Sequence, residues 1–300
     1  MSAQVLTLLL NWNNWADTLR CLECVLAMTY RNNSILVLDN GSCDESVVRL
    51  AAQLRPPHRL LRNPQNYGFA RGCNVGLRWA MRQDVEYVWL LNNDTCPPPD
   101  ALQELVNRAE QDAKIGAVGG GLCDMDSPQR IQEWGGSWLG LRTGLAGPNQ
   151  PPPARERLDY ICGGCMLIRT AALAQVGLFD EGYFLYGEDA DLGLRLRSAG
   201  WRLAVASVRI PHRRGSSTGR LVQDFYSSAA GARLLRTYSS CPGLATILGT
   251  LRRMVKPALR GEFARVRAVA AGAVEGWRAF AERRTYRLPQ ALGGETGDLP

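Results

Sequence analysis

Val88-Trp89-Leu90-Leu91-Asn92-Asn93-Asp94-Thr95 is an apolar run that ends abruptly in two amides and one carboxylate. Val88 to Leu91 can be buried on both faces as a strand of a parallel sheet, which leaves Asn92, Asn93 and Asp94 at its carboxyl end facing a crevice or solvent. In open α/β sheets that end is where ligands bind. A carboxylate flanked by amides suits a hard cation such as Mg²⁺ or Mn²⁺, which prefers oxygen ligands and brings diphosphate oxygens with it. Read locally, the same letters running into Cys96-Pro97-Pro98-Pro99 also describe a turn before a helix, with Asp94 bonding its own backbone.

The chain before this stretch repeats the pattern. Val5 to Leu10 reads as a buried strand, Asn11 to Asp17 as a polar loop, and the residues to Met28 as a helix with Leu19, Leu22, Val25 and Leu26 at helical spacing. Ile35 to Leu38 is a second strand, ending in Asp39-Asn40-Gly41-Ser42, with Asp44 as the N-cap of the next helix. Short strand–helix units of this kind imply a parallel sheet. Asn66 to Gly76 then enters a helix carrying Gly68, Gly72 and Gly76, which serve either close approach to a ligand or helix packing. The segment is not the G-x-G-x-x-G fingerprint, so dinucleotide binding is disfavoured.

Beyond the anchor, Pro99 to Ala113 is an amphipathic helix and Ile115 to Val118 a short strand. Leu122 to Arg155, rich in Gly, Pro and Asp, reads as a long ordered loop that places Trp134 and Trp138 near a substrate or a domain face. Tyr160 to Arg169 is a strand containing Gly163 and Gly164. Aromatics from Phe179 to Tyr186 crowd in before Glu188, Asp189 and Asp191, which open a helix; acids are favoured there electrostatically, and an aromatic wall also excludes water around a base. Trp201 to Val208 is a last strand, followed by His212, one of only two histidines. Helices are predicted over 221–238, 244–255 and 263–284, and the end of the chain is expected to fray.

With 300 residues and 46% hydrophobic content, the chain fills a substantial core. No apolar run is long enough to span a bilayer, and the start reads as a strand rather than a signal peptide. Nine cysteines and no export signal point to reduced thiols in a cytosol. The pairs Cys21/Cys24 and Cys162/Cys165 lie on a helix and a strand in ways that do not suit a shared zinc. The formal charge of +7 is concentrated after Arg209, where arginines and Lys256 outnumber the acids, interleaved with Leu, Val, Ala and Trp. That composition suits an anionic membrane surface or a phosphorylated lipid, and equally a solvated helical face; no motif supports nucleic acid.

In order, the segments Leu9–Asn13, Leu38–Asp44, Asn66–Gly76, Leu91–Asp94, Gly163–Arg169, Phe179–Glu181, Tyr186–Leu192 and His212 resemble the family 2 glycosyltransferases, closest to the bacterial rhamnosyltransferase-like branch. The resemblance covers about residues 4 to 215 and implies a GT-A fold: a Rossmann-like, mostly parallel central sheet flanked by helices. Residues 1–219 would be the catalytic domain, 220–290 a basic helical extension and 291–300 a disordered tail. By position, the resemblance assigns the nucleotide-sugar side to Asn11, Trp12, Asn13, Asp39, Asn66, Gly68, Asn74, Asn92 and Asn93. It assigns the divalent ion, Mg²⁺ or Mn²⁺, to Asp94 and His212, with Asn92 standing at the first acid of the family's D-x-D motif. Asp189 occupies the general-base position, and Gly163, Gly164, Glu188 and Trp134 fall on the acceptor side.

The implied reaction is inverting transfer of a sugar, in this branch rhamnose, from a nucleoside diphosphate to a hydroxyl of a glycan or lipid-linked acceptor in surface-polysaccharide synthesis. The implied place is the cytoplasm, peripheral to the inner face of the membrane. Two rivals stand beside it: a sugar nucleotidyltransferase, which would want a Gly-rich basic loop where Asn11 to Asp17 stands, and a non-catalytic sugar-nucleotide-binding protein.

Overall fold

The computed structural model describes residues 2–151, 158–213 and 219–286. In chain order the elements are β1 (Val5–Asn11), α1 (Trp15–Leu26), β2 (Asn33–Asp39), α2 (Ser46–Gln53), β3 (Arg59–Arg62), α3 (Gly68–Ala80), β4 (Tyr87–Asn92), α4 (Ala101–Glu110), β5 (Ile115–Asp124), β6 (Ile131–Trp134), β7 (Gly136–Gly140), β8 (Leu145–Pro148), β9 (Tyr160–Ile161), β10 (Cys165–Arg169), α5 (Thr170–Val176), α6 (Glu188–Ser198), β11 (Arg202–His212), α7 (Arg220–Tyr238), α8 (Pro242–Leu259) and α9 (Phe263–Ala281).

The main sheet runs β11-β5-β10-β4-β1-β2-β3, with β6 added to β5. Strands β1, β2, β3 and β4 are mutually parallel, as are β5 and β11, whereas β10 lies antiparallel between β4 and β5. Both faces are covered, which explains the unbroken apolar runs. Leu6, Leu8, Val88 and Leu90 enter the core under α3, α6 and α7, while Val5, Leu9, Trp89 and Leu91 enter the core under α1 and α4. Gly76 sits so close to β1 that a Cβ would fall 2.5 Å from a Leu8 methyl, so the glycines of α3 serve packing there. At the head of the same helix Gly68 has φ +76° and lies under the Phe184 carbonyl, a backbone conformation and an approach that only glycine accepts without strain.

The structure departs from the sequence reading in four places. The stretch from Leu122 is not an ordered loop: β5 extends to Asp124, β6 pairs with it, and β7, β8 and β9 form a three-stranded sheet. Residues with little periodicity still pair when a hairpin folds back on a buried strand, and the end of that stretch, at Arg155, lies outside the described residues. Tyr160 to Arg169 is not one strand but two, broken by the turn at Gly163 and Gly164. The last strand continues to His212. Cys24 and Cys96 are joined as a disulfide, against the expectation of reduced thiols throughout, because α1 lies beside the segment leaving β4, a proximity no local pattern encodes.

Helix α7, the first element beyond the expected boundary at 219/220, packs into the same core. Val222, Phe225, Tyr226, Ala229 and Ala230 of α7 belong to the same buried cluster as Leu6 and Leu90, and Tyr238 donates to Asp191 of α6 at 2.7 Å. The tail assigned to 291–300 and the end of the extension from 287 lie outside the described residues. No helix among the described residues is long and apolar enough to cross a membrane.

Candidate active site

Parallel pairing brings the polar ends of the strands to one edge. Asn11 is opposite Asp39, Leu10 opposite Asn92, and His212 opposite Asp124. Because β10 runs the other way, it is its beginning, at Gly163 and Gly164, that reaches this edge. A cavity of about 440 Å³ opens there. Trp12, Asn66, Gly68, Asn92, Asn93, Asp94, Gly163, Gly164, Glu188, Asp189 and His212 all line it, so the two carboxylates 95 positions apart in sequence, Asp94 and Asp189, face one space.

Asp94 and His212 meet through backbone pairing. An antiparallel bridge joins Thr95 to His212, the Arg213 N–H donates to the Asp94 carbonyl at 2.9 Å, and the Cys96 N–H to the Pro211 carbonyl at 2.9 Å. This sets His212 Nε2 3.3 Å from Asp94 Oδ1. Nδ1 of the same ring lies 2.7 Å from Gln132 Oε1, while the Gln132 amide donates to the His212 carbonyl. An imidazole oriented by its second nitrogen beside a carboxylate is a donor pair that suits Mn²⁺ or Mg²⁺. Among the described residues no group of three or more His, Cys, Asp or Glu side chains could hold a metal, so Asp94 and His212 would be the protein's donors and the rest of a cation's ligands would have to come from substrate and water.

Asp189 lies across the cavity in the first turn of α6. Its Oδ2 accepts the Gly163 N–H at 3.0 Å and its Oδ1 the Ala190 N–H at 2.8 Å. Burial lifts its pKa from 3.8 to about 6, opposed by the Gly163 hydrogen bond and aided by the charge of Glu133. The helix terminus therefore does not set its ionisation as the sequence implied; desolvation wins. Glu188, buried beside it, is pushed well above the ordinary carboxylate range by burial and by the charge of Asp189. Phe184, Leu185 and Tyr186 wall the same side, and Tyr226 of α7 stacks on Phe184 with ring centroids 5.2 Å apart.

Five residues expected at the site are elsewhere. Asn11 and Asp39 are buried and bond each other at 2.8 Å; Asn11 also takes the Thr18 hydroxyl, and Asp39 the Ser42 hydroxyl and N–H. Asn13 accepts the Cys43 N–H and its own N–H bonds Ser42. Together they tie the loops after β1 and β2 to one another, leaving Trp12 and Asn14 to face the cavity. Asn74 is buried with its amide bonded to the N–H and carbonyl of Phe179, which fixes the segment leading to Asp189. Trp134 packs against Gly121, and its neighbours Gln132 and Glu133 line the cavity instead. Sequence reasoning missed those two, together with Phe69, Cys162 and the α7 residues Val222, Gln223 and Tyr226. Gln132 and Glu133 fall in the stretch expected to be a loop and Val222, Gln223 and Tyr226 beyond the expected boundary at 219, and no spacing rule joins either to Asp94.

Residues 8–177 match the family described as Glycosyl transferase family 2. The chain is 31% identical over 225 residues to the N-acetylglucosaminyl-diphospho-decaprenol L-rhamnosyltransferase of Mycobacterium tuberculosis, covering 67% of this chain and 73% of that one. Two solved structures share the fold: the mannosyltransferase PcManGT of Pyrobaculum calidifontis in complex with GDP-Man and Mn²⁺, and GalNAc-T7 with UDP, GalNAc and Mn²⁺. The first superposes with TM-score 0.57 at 16% identity over all of this chain and 77% of its own, the second with TM-score 0.57 at 17% identity over 83% of this chain and 54% of its own. The chain therefore belongs to glycosyl transferase family 2, and it is a glycosyltransferase of the rhamnosyltransferase-like branch with a GT-A fold.

Proposed function

We propose that this enzyme moves a sugar from a nucleoside-diphosphate donor to a hydroxyl of a lipid-linked glycan, with inversion, in building a surface polysaccharide. Rhamnose is the sugar we assign, in line with the name of the similar Mycobacterium tuberculosis protein. The observation that carries this reading is the single cavity faced by the Asp94–His212 pair on one wall and Asp189 on the other. Among the residues that line the cavity, we assign Asn66, Gly68, Asn92 and Asn93 to the donor and Gly163, Gly164 and Glu188 to the acceptor.

Asp94 and His212 would hold the divalent cation, which, when bound, offsets negative charge on the departing diphosphate. Asp189 takes the proton of the acceptor hydroxyl as its oxygen forms the new bond to the anomeric carbon and the bond to diphosphate breaks. A pKa near 6 leaves the carboxylate ionised at neutral pH, yet more basic than an exposed one, which favours proton transfer. One displacement inverts the anomeric centre, and no covalent nucleophile is required.

The test is incubation of candidate nucleoside-diphosphate sugars and Mn²⁺ with a lipid-linked acceptor, following both products. Release of nucleoside diphosphate with a sugar of inverted configuration is the expected result. Release of pyrophosphate would indicate a nucleotidyltransferase, and nucleotide binding without turnover a binding protein; either would end the proposal.

A further inference from the structure

The three C-terminal helices differ in what they present. Most apolar side chains of α7 turn into the core, and the small residues of α9 let it approach α7 closely: a Cβ at Gly272 or Gly276 would lie within 2.2 Å of an α7 carbonyl oxygen. Helix α8 is different. Its buried residues are Ala245, Gly249 and Pro257, and Gly144 at the β7–β8 turn presses on that side, where a Cβ would fall 2.4 Å from the Ala245 carbonyl oxygen. The opposite side is apolar and open. Leu244, Ile247, Leu248, Leu251, Val255 and Leu259 follow the helical repeat and are 44% to 84% exposed.

Charge decides what covers this face. Between Pro242 and Gly261 there is no acidic residue, while Arg252, Lys256 and Arg260 recur every fourth position and are exposed along one border of the stripe. A contiguous apolar patch marks an interface. One bordered by cations and free of acids matches a surface that is apolar below and anionic above, as is a bilayer leaflet rich in acidic headgroups. The helix is too polar to cross a membrane, so it would lie in the plane of one.

We propose that α8 is a docking helix that seats Leu244, Ile247, Leu251, Val255 and Leu259 among the acyl chains of an anionic membrane and sets Arg252, Lys256 and Arg260 against lipid phosphates. The proposal deepens the reading of a lipid-linked acceptor by naming the surface on which such an acceptor is met. It does not depend on the chemistry: no α8 residue lines the cavity.

The experiment is co-sedimentation of the full-length protein with vesicles of phosphatidylcholine, with and without phosphatidylglycerol, at low and high salt. Binding to the anionic vesicles at low salt is expected, weakened by salt, and reduced by roughly tenfold or more in Leu251→Glu/Val255→Glu, which loses apolar burial and gains repulsion. Both positions are exposed, so the double variant should unfold at the wild-type temperature and transfer sugar to a water-soluble acceptor at the wild-type rate. Loss of lipid binding with that transfer intact supports the proposal independently of which sugar moves. Absence of binding by the wild type, equal binding by the double variant, or a lipid-independent dimer that the double variant abolishes would overturn it.

Discussion

Replacing Asp189 with Asn separates the chemistry of the site from its cost to the fold. In the folded protein the carboxyl holds its proton up to about pH 6, whereas in the unfolded chain it releases it near 3.8, and burial is the main cause. Between those values the folded state binds more protons, so the contribution of this group to stability falls as pH rises and is fully unfavourable above 6. A rise from 3.8 to about 6 amounts to about 3 kcal/mol at 1.4 kcal/mol per decade. The carboxylate faces an open cavity, and water there reduces this to about 1–2 kcal/mol. Asparagine has the same shape, carries no charge and keeps one oxygen for the Gly163 N–H, while its NH2 gives up the bond from the Ala190 N–H, a loss of about 0.5–1 kcal/mol. Asp189→Asn should therefore be more stable than wild type at pH 7.5 by about 1 kcal/mol, raising the melting temperature by about 1–2 degrees in a chain of this size. The advantage should vanish below pH 4, where the wild-type carboxyl is protonated in both states. Transfer should fall by about 10²–10⁴-fold with nucleotide binding retained. Calorimetry across pH and a transfer assay read the two effects. A variant less stable at pH 7.5, or one transferring at the wild-type rate, would refute the reasoning.

The rising limb of kcat/KM against pH should sit near 6, where Asp189 ionises, and Glu133→Gln should move it lower by removing a negative charge that lifts the Asp189 pKa; an unmoved limb counts against that coupling. His212→Ala should weaken Mn²⁺-dependent binding of the nucleoside diphosphate in titration calorimetry while metal-free unfolding changes little; unchanged Mn²⁺ dependence would remove His212 from the cation. Asn74→Leu leaves two backbone groups of Phe179 unpaired and should cost about 2–4 kcal/mol in urea unfolding. If instead stability holds and nucleotide affinity drops, Asn74 is a ligand-binding residue after all.

What could be read from the chain follows the range of the forces involved. Runs such as Val5 to Leu10 and Val88 to Leu91 are local signals, and the strands they predict form with the sheet order parallel pairing requires. Asn92, Asn93 and Asp94 declared themselves by ending such a run. Asp39 ended one too, yet its oxygens are consumed by Asn11 and Ser42; whether a polar side chain at a strand end faces ligand or neighbour depends on the next loop, which pattern alone does not place. The contributions of Gln132, Glu133 and Tyr226 depend on segments that fold back over the edge from far along the chain. The Cys24–Cys96 bond is of the same kind, 72 residues apart and joined only by the packing of α1 beside the exit from β4.

The reversed strand makes the site one object rather than two. Had β10 run parallel to its neighbours, its amino end would lie at the far side of the sheet and a side-chain-bearing carboxyl end would fill the crevice. Instead the turn at Gly163 and Gly164 arrives between β4 and α6. The Gly164 carbonyl accepts the Asn92 N–H at 3.0 Å, and the Gly163 N–H holds Asp189 at 3.0 Å. A Cβ on Gly164 would lie 2.9 Å from a Leu122 methyl and 3.2 Å from the Asn92 amide; one on Gly163 would lie 3.4 Å from the Phe69 ring. The absence of side chains thus keeps the middle of the cavity open where a sugar would sit, and two backbone groups in one turn tie the end of β4, two residues before Asp94, to the helix bearing Asp189. Their spacing is held by the main chain of the turn before β10 and not by flexible side chains, the property the proposed one-step displacement would demand of the groups on either side of it.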